Sequence, residues 1–310
     1  MRIWRAKSQT LTIVLIIMAT LAIITLKMAE NVNLALKESN AQKEGARAYY
    51  MAKSGINTAV EKIKGKEKRG FYSLEDDLTQ EDEKINFSYK VTDEERRFNI
   101  NNTSDVGTAF LKQILTQEAN LSDEEAANLA KFCGQAIEKK ELMNKLELMV
   151  ILEEYFEKES KGNAAVFARE IYSNISDYIT ANGTEKVNIN TAPETVLKSL
   201  IAASIKSYLP AEANLEDSGA LSSAIMQLRL SGGYIEAPET QEIKDKLTAI
   251  GHNLSAQEEN IISVLCENFL ICTNSEIFNI ASTGHSGSAK KEINAKYDYA
   301  SGNIIDWNEK

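Results

Sequence analysis

Arg2, Arg5 and Lys7 stand immediately before an apolar run from Leu11 to Leu26 that carries no charged side chain. A basic flank followed by such a run reads as a membrane helix entering with its N-terminus on the cytoplasmic side. At about 1.5 Å per residue the run covers roughly 24 Å, slightly short of a bilayer core; Met28 and Ala29 extend it, and Lys27 between them can snorkel. A cleaved secretory signal would stop at small residues one and three positions before its cut. Here the nearest small residue past the run is Ala29, with Lys27 two positions before it, and no Pro or Gly follows until Gly45. The helical pattern instead continues. Tyr49, Ala52, Ile56, Ala59 and Ile63 alternate spacings of three and four, which is one apolar stripe on a long helix. A helix from Gln9 to Ile63 would be about 80 Å long by the same rise, so the pattern predicts an anchor that becomes a stalk.

The rest of the chain folds in water. Its 43% hydrophobic and 26% charged residues are ordinary for globular proteins. The net charge of -10 and pI near 5.0 argue against a nucleic-acid partner, which would need a basic footprint. Cys133, Cys266 and Cys272 lack the close pairing of a zinc site; Cys266 and Cys272 either form a disulfide or remain thiols in a helical core. With His252 and His285 as the only histidines, the sequence offers no histidine-centred catalytic or metal constellation. Acidic runs such as Asp123-Glu124-Glu125 or Glu153-Glu154 read as solvated helix faces or first-turn charges, so no enzyme is predicted.

Beyond a polar loop from Gly65 to Lys84, Ile85, Phe87, Tyr89 and Val91 alternate with polar residues, as in a half-buried strand, and Phe98 and Ile100 suggest a further extended piece. Comparable strands recur only at the C-terminus, over Glu276–Thr283, Glu292–Tyr299 and Ile304–Trp307, with turns at His285-Ser286-Gly287 and Ser301-Gly302-Asn303. A lone strand needs partners, so the helical stretch between these ends is predicted to be an insertion between strands of one sheet. Four capping-box patterns mark helix starts: Ser122 with Glu125, Asn144 with Glu147, Thr191 with Glu194, and Ser255 with Glu258. Pro193 is placed in a first turn, Pro210 and Pro238 in connections. Arg97-Phe98-Asn99-Ile100-Asn101-Asn102-Thr103 echoes Lys186-Val187-Asn188-Ile189-Asn190-Thr191-Ala192, which predicts two related helical units.

Val187-Asn188-Ile189-Asn190-Thr191-Ala192-Pro193 resembles the entry to the second helical unit of the K-type minor pseudopilin of bacterial type II secretion. Val91-Thr92-Asp93-Glu94 leading to Phe98-Asn99-Ile100-Asn101 is similar to that family's entry to its first unit. Ala48-Tyr49-Tyr50-Met51-Ala52-Lys53-Ser54-Gly55-Ile56 resembles the stalk of the same family and of related type IV pilus minor subunits, and Ser275-Glu276-Ile277-Phe278 its closing strands. The resemblance implies an α+β fold with a transmembrane and stalk helix, a pilin-like antiparallel sheet, and a large all-α, SAM-like insertion between strands. The corresponding divisions are a basic leader over 1–8, the helix over 9–66, the first part of the pilin-like domain over 67–103, the insertion over 104–272, and closing strands over 273–310.

That family is processed by prepilin peptidase, and the matching cut lies between Ser8 and Gln9, with Ser8 where members usually carry Gly. Counted from Gln9, the fifth position is Ile13, where major subunits carry Glu; a carboxylate in lipid needs a neighbour's amine, and the K family lacks it. The resemblance thus implies a non-enzymatic minor pseudopilin at a fibre tip, anchored by one span in the inner membrane with its bulk in the periplasm. Implied partners are the I- and J-type minor pseudopilins, the major pseudopilin, prepilin peptidase and the inner-membrane assembly platform. Ile13, Ile17 and Leu21 are the candidate membrane-helix contacts, and Asn188, Asn190, Thr191, Ala192 and Pro193 carry the family motif. Calcium is implied by the family, with no ligands assignable by residue. Two alternatives stay open: a minor subunit of a related type IV pilus, and a membrane-anchored helix-hairpin-helix DNA-binding protein. The second would need a Gly-x-Gly hairpin against phosphate, where this chain has Ile201-Ala202-Ala203-Ser204-Ile205-Lys206.

Overall fold

The computed structural model describes residues 2–65, 72–73, 78–81, 86–159, 162–209 and 215–309, with side chains of the first helix described from Ile13 onward. Helix α1 (Arg2–Gly65) is unbroken for 64 residues, about 95 Å at the usual rise. Its distal part packs on a five-stranded antiparallel sheet made of β1 (Thr79–Glu81), β2 (Phe87–Asp93), β7 (Ile277–Ser286), β8 (Ala289–Asp298) and β9 (Asn303–Glu309), in the order β1-β2-β7-β8-β9. Between β2 and β7 the chain makes two helical units. The first runs through β3 (Phe98–Asn99), α2 (Asp105–Glu118), α3 (Asp123–Lys139), α4 (Glu147–Lys158), α5 (Ala164–Ile175) and β4 (Ile179–Thr180). The second runs through β5 (Val187–Asn188), α6 (Glu194–Tyr208), α7 (Leu215–Leu230), α8 (Thr240–Ala249), α9 (Ala256–Glu267) and β6 (Ile271–Cys272).

The stripe read from the sequence is the face that meets the sheet: Ala48, Ala52, Ile56, Ala59 and Ile63 are buried, with Tyr49 half-buried. Opposite them stand the inward positions of alternating strands, Tyr89 and Val91 from β2, Phe278 and Ile280 from β7, and Ile293, Ala295 and Tyr297 from β8. Alanines and glycines bring the two layers close. A Cβ on Gly284 would overlap the Ala48 carbonyl oxygen and the Ala52 backbone nitrogen, and one on Gly55 would overlap the Ser282 hydroxyl. Strand β7 therefore runs back along α1, with its Gly284 end towards the membrane and its Ile277 end at the far end of the stalk, where the Lys64 ammonium lies 5.9 Å from the centre of the Tyr297 ring. The helical units leave and re-enter the sheet at that far end.

The two units repeat one backbone scheme. In each, a short strand enters and another closes parallel beside it: Phe98 opposite Ile179, and Val187 opposite Ile271. Phe98 and Ile100 donate to the carbonyls of Tyr178 and Thr180, as Val187 and Ile189 donate to Leu270 and Cys272. The second extended piece read at Phe98 and Ile100 thus belongs to a helical unit and not to the main sheet, so the helical body runs from Phe98 to Cys272 where 104–272 was expected. A separate hydrophobic core joins both units, including Phe110, Leu129, Leu152, Ile175, Leu197 and Ile261.

Several local readings are corrected. Ser122 with Glu125 and Ser255 with Glu258 do form capping boxes. Asn144 instead makes a turn, its side chain accepting from the Leu146 N–H at 3.0 Å, and α4 starts after Leu146 with no side-chain cap. Thr191 does not cap α6, because its hydroxyl is committed to the buried Asp93 carboxylate; Pro193 is the N-cap instead of lying inside the first turn. β7 continues through His285 and Ser286, so its hairpin turns tightly at Gly287, whose φ is 56°. β1 lies inside the expected polar loop, most of which, like Ile85 and Pro210, falls outside the described residues. All three cysteines are free thiols.

The close seat of α1 yields a direct expectation. Gly284→Val should lower the stability of the full detergent-solubilised chain by about 1–3 kcal/mol or more, since the obstruction is backbone and not a flexible side chain. Gly45→Ala, on α1 with open space around it, should raise stability by roughly 0.5–1 kcal/mol. Chemical denaturation of the two variants reads both signs.

Candidate functional site: the membrane helix and the joint of the helical units

From Ile13 to Leu36 the apolar side chains of α1 are exposed: Ile13, Ile17 and Leu21 are 57%, 52% and 57% exposed. Their spacing of four puts them along one side of the helix. The window is long and apolar enough to cross a membrane, with mean hydropathy 2.1 and none of it buried. A core helix of a soluble protein would be covered; this one is bare. The two hydroxyls inside it are satisfied locally, Thr20 donating to the Ile16 carbonyl and Thr25 to Leu21, both at 2.8 Å, which suits hydrocarbon. Lys27 and Glu30 pair at 2.9 Å where the apolar run ends. Ser8 and Gln9 lie in the unbroken backbone of α1, before the residues whose side chains are described.

The motif residues lie together at the entry to the second unit, with Asn188, Asn190, Thr191 and Ala192 buried and Pro193 half-buried. The Asn188 carbonyl oxygen of the side chain accepts the Asn190 N–H at 2.9 Å, which bends the chain out of β5. The Asn190 amide then does what a neighbouring strand residue would do: its NH2 donates to the Ile235 carbonyl at 2.8 Å and its oxygen accepts the Ile235 N–H at 3.0 Å. Asn101 repeats this in the first unit, pairing with both backbone groups of Leu142 at 2.9 Å. Only a planar amide offers a donor and an acceptor side by side, which explains why both units carry Asn there.

Sequence reasoning missed the chemistry just upstream. Asp93, Glu94 and Glu95 are three consecutive carboxylates, and all are buried. Glu94 is neutralised: it accepts from Arg97 at 2.9 Å, from the Thr180 hydroxyl at 2.6 Å and from Lys296 at 3.3 Å. Burial alone would raise its pKa, but the Lys296 and Arg97 charges outweigh that and hold the carboxyl below its ordinary value. Glu94 thus ties the first unit, through Thr180, to β8. Asp93 and Glu95 serve the second unit. Asp93 accepts the Thr191 hydroxyl at 2.5 Å and the Glu95 N–H at 2.8 Å, while the Glu95 carboxyl accepts the Ile277 N–H at 3.3 Å. The backbone continues the joint, with Glu94 N–H donating to the Ile277 carbonyl at 3.0 Å and Asn188 N–H to Glu95 at 2.8 Å. The signal was available: Tyr89, Val91 and Asp93 share one parity, so the strand carries an acid onto its inward face.

Among the described residues no group of three or more His, Cys, Asp or Glu side chains is placed to hold a metal ion. The buried carboxylates are taken up by hydroxyls, backbone N–H groups and cations, so the calcium that the resemblance implied finds no fitting donor set there. Arg229, on α7, sits behind the motif and donates to the Ala192 carbonyl at 2.5 Å and to the Ile189 carbonyl; burial lowers its pKa to about 10.

A bare membrane-length helix continuous with a stalk, a sheet wrapped on that stalk, and helical units jointed to its far end define a membrane-anchored, pilin-like scaffold. This fold is shared by a chain of "The Crystal Structure of the GspK-GspI-GspJ complex from enterotoxigenic Escherichia coli Type 2 Secretion System", which superposes with a TM-score of 0.53 at 12% identity, over 88% of this chain and 99% of that one. The fold is therefore that of a type II secretion pseudopilin. No protein-family model matches the sequence, and no curated protein matches it either.

The amide pairing in the two units gives a specific expectation. Asn190→Asp places a carboxylate oxygen against the Ile235 carbonyl and should cost about 1–3 kcal/mol, more if the acid stays ionised. Asn101→Asp should be milder, because Asn101 is partly exposed. Urea denaturation of the full chain measures the difference.

Proposed function

We propose that this chain is a K-type minor pseudopilin of a type II secretion system, which starts pseudopilus assembly with I- and J-type minor pseudopilins and occupies the fibre tip. The observation that carries this reading is the pairing of a bare membrane helix with a pseudopilin fold matched over 88% of the chain. The position of that body supports a tip role: it sits at the membrane-distal end of the stalk, where a subunit stacked above in a repeating shaft would need room. Apolar Ile13 supports it as well, since a first subunit has no neighbour above it whose amine could neutralise a carboxylate at that depth. The role is structural and not enzymatic. Export of proteins across the outer membrane is the process served, with the anchor in the inner membrane and the bulk in the periplasm.

In this reading prepilin peptidase cuts between Ser8 and Gln9, leaving Gln9 as the methylated first residue, and the assembly platform and major pseudopilin extend the fibre below. Mass spectrometry of the membrane-extracted protein is expected to show Gln9 at the N-terminus; intact Met1 would mean an anchor that is never processed.

Contact with the partner anchors falls to Ile13, Ile17 and Leu21, where association in lipid depends on packing more than on hydrophobic transfer. Cysteines introduced at Ile17 or Leu21 should crosslink in native membranes to the two other minor pseudopilins. Crosslinking to the major pseudopilin alone, all along the fibre, would overturn the tip assignment.

A further inference from the structure

The five-stranded sheet ends unevenly. At one edge β1 is three residues, too short to offer much to another chain; at the other, β9 is seven residues and contains neither Pro nor Lys, which commonly blunt an exposed edge. In an antiparallel ladder alternate residues turn both backbone groups to their neighbour, so β9, paired with β8 on one side, directs every second N–H and C=O away from it. Among the described residues no strand stands on that open side. Asn303, Ile304, Ile305, Asn308 and Glu309 are exposed.

The apolar layer under α1 also runs one strand further than α1 covers. Ile293, Ala295 and Tyr297 of β8 are each 1% exposed, and across the ladder from them stand Glu309, Trp307 and Ile304. Trp307 is half-buried against the sheet core, whereas Ile304 is 40% exposed. The register slips between Lys296 and Tyr297, so Ile305 is the extra residue of a bulge. In a regular strand Ile304 and Trp307, three positions apart, would point to opposite faces. The bulge puts both on the helix side and adds an apolar residue to the open border of the layer.

We propose that β9 is a docking edge for an extended segment of another protein, one that alternates apolar with basic residues and adds a further strand to the sheet. An extended occupant follows from the backbone. Ladder groups spaced along a strand are met by another strand, and not by a helix, whose own groups are already bonded to one another. The apolar residues of the occupant, at every second position, continue the layer beside Ile304 and Trp307.

The basic residues follow from charge. β9 carries Asp306 and Glu309 and no cation. Lys296 stands opposite Asp306 in the ladder, but its ammonium goes to Glu94 at 3.3 Å. The same acids disfavour a second copy of this chain laid antiparallel on β9, because like charges would then stand across from or near one another, with a net charge of -10 on each copy.

Amide hydrogen exchange on the full chain in detergent micelles tests the edge, with a blocked peptide of alternating Val and Lys, as long as β9, for the probe. At a peptide concentration about ten times its Kd, the open-side amides between Asp306 and Glu309 should exchange about tenfold more slowly. Amides paired between β2 and β7 should not change. The same peptide methylated on alternate backbone nitrogens keeps its side chains and charge but cannot bond along the ladder, so it should lose the effect, as should a peptide of alternating Val and Glu. Ile305→Lys, a cation at an exposed position on the border, should weaken binding of the Val-Lys peptide several-fold while leaving the fold intact. No slowing with the Val-Lys peptide, or equal slowing with its methylated form, would overturn the proposal. Slowing without peptide that grows with protein concentration would overturn it too, by making the occupant a second copy.

Discussion

Everything in this molecule hangs on one helix that has to satisfy two solvents in turn. In hydrocarbon, backbone N–H and C=O groups find partners only within the helix itself, so an interruption before the membrane boundary is excluded. Past the boundary water would tolerate a break, but α1 continues to Gly65 because its side turns from uniformly apolar to a stripe that the sheet can cover. The stripe is built of alanines alternating with isoleucines, and the facing strand answers with Gly284. Side chains are trimmed on both surfaces, and the layers meet at backbone distance. A rigid stalk results, and the joint at its far end is held at a fixed height above the bilayer.

The sheet is not local in sequence. The Ser282 hydroxyl bonds the Ser88 carbonyl across 194 positions, a closure that is slow and entropically costly for an unstructured loop. Each helical unit, however, closes its own ends with a pair of parallel strands, and the entry and exit of the whole insertion are hydrogen-bonded neighbours through Glu94 and Ile277. Two prefolded units reduce the effective loop to a short one. The buried acids at the joint then set register as well as adhesion: Glu94 fits the first unit through Thr180, and Asp93 fits the second through Thr191, two threonines that stand in different places in the repeat.

How far this was legible in the sequence follows from the range of the forces involved. The anchor, the stalk stripe, the hairpins and two of four capping boxes depend on neighbours within a turn or two, and their residues announce them. The doubled Asn motif also announced the repeat, because one amide geometry imposes the same residues twice. The failures occur where a distant group outcompetes a local one. Thr191 has the spacing of a helix cap, yet a buried carboxylate is a stronger acceptor for its hydroxyl than solvent is, and a helix N-terminus beside water can go without. Phe98 and Ile100 look like sheet strands because extended backbone is the same wherever its partner comes from. The acids of the joint carried no reading of their own, since nothing in three adjacent carboxylates reveals that Lys296, 202 positions away, will meet the middle one.

The long reach of that pairing also indicates why the joint is built as it is. An apolar seam between the sheet and the helical units would have been simpler to fold and at least as stable, because buried ion pairs seldom exceed the hydrophobic packing they replace. Polar groups with fixed partners do something packing does not: they permit one arrangement and penalise its neighbours, since each displaced donor or acceptor would be left buried and unmet. In a chain whose membrane helix and distal body are joined by one stalk, such a joint fixes the relation between the two. In the joint, cation-neutralised Glu94 holds the first unit, whereas the second unit rests on the Thr191 hydroxyl and on backbone hydrogen bonds. The two units are therefore alike in fold and unlike in attachment: the first is tied to the sheet through a carboxylate held by two cations, and the second, the one bearing the Asn-Thr-Ala-Pro entry, through a carboxylate that takes up a threonine hydroxyl.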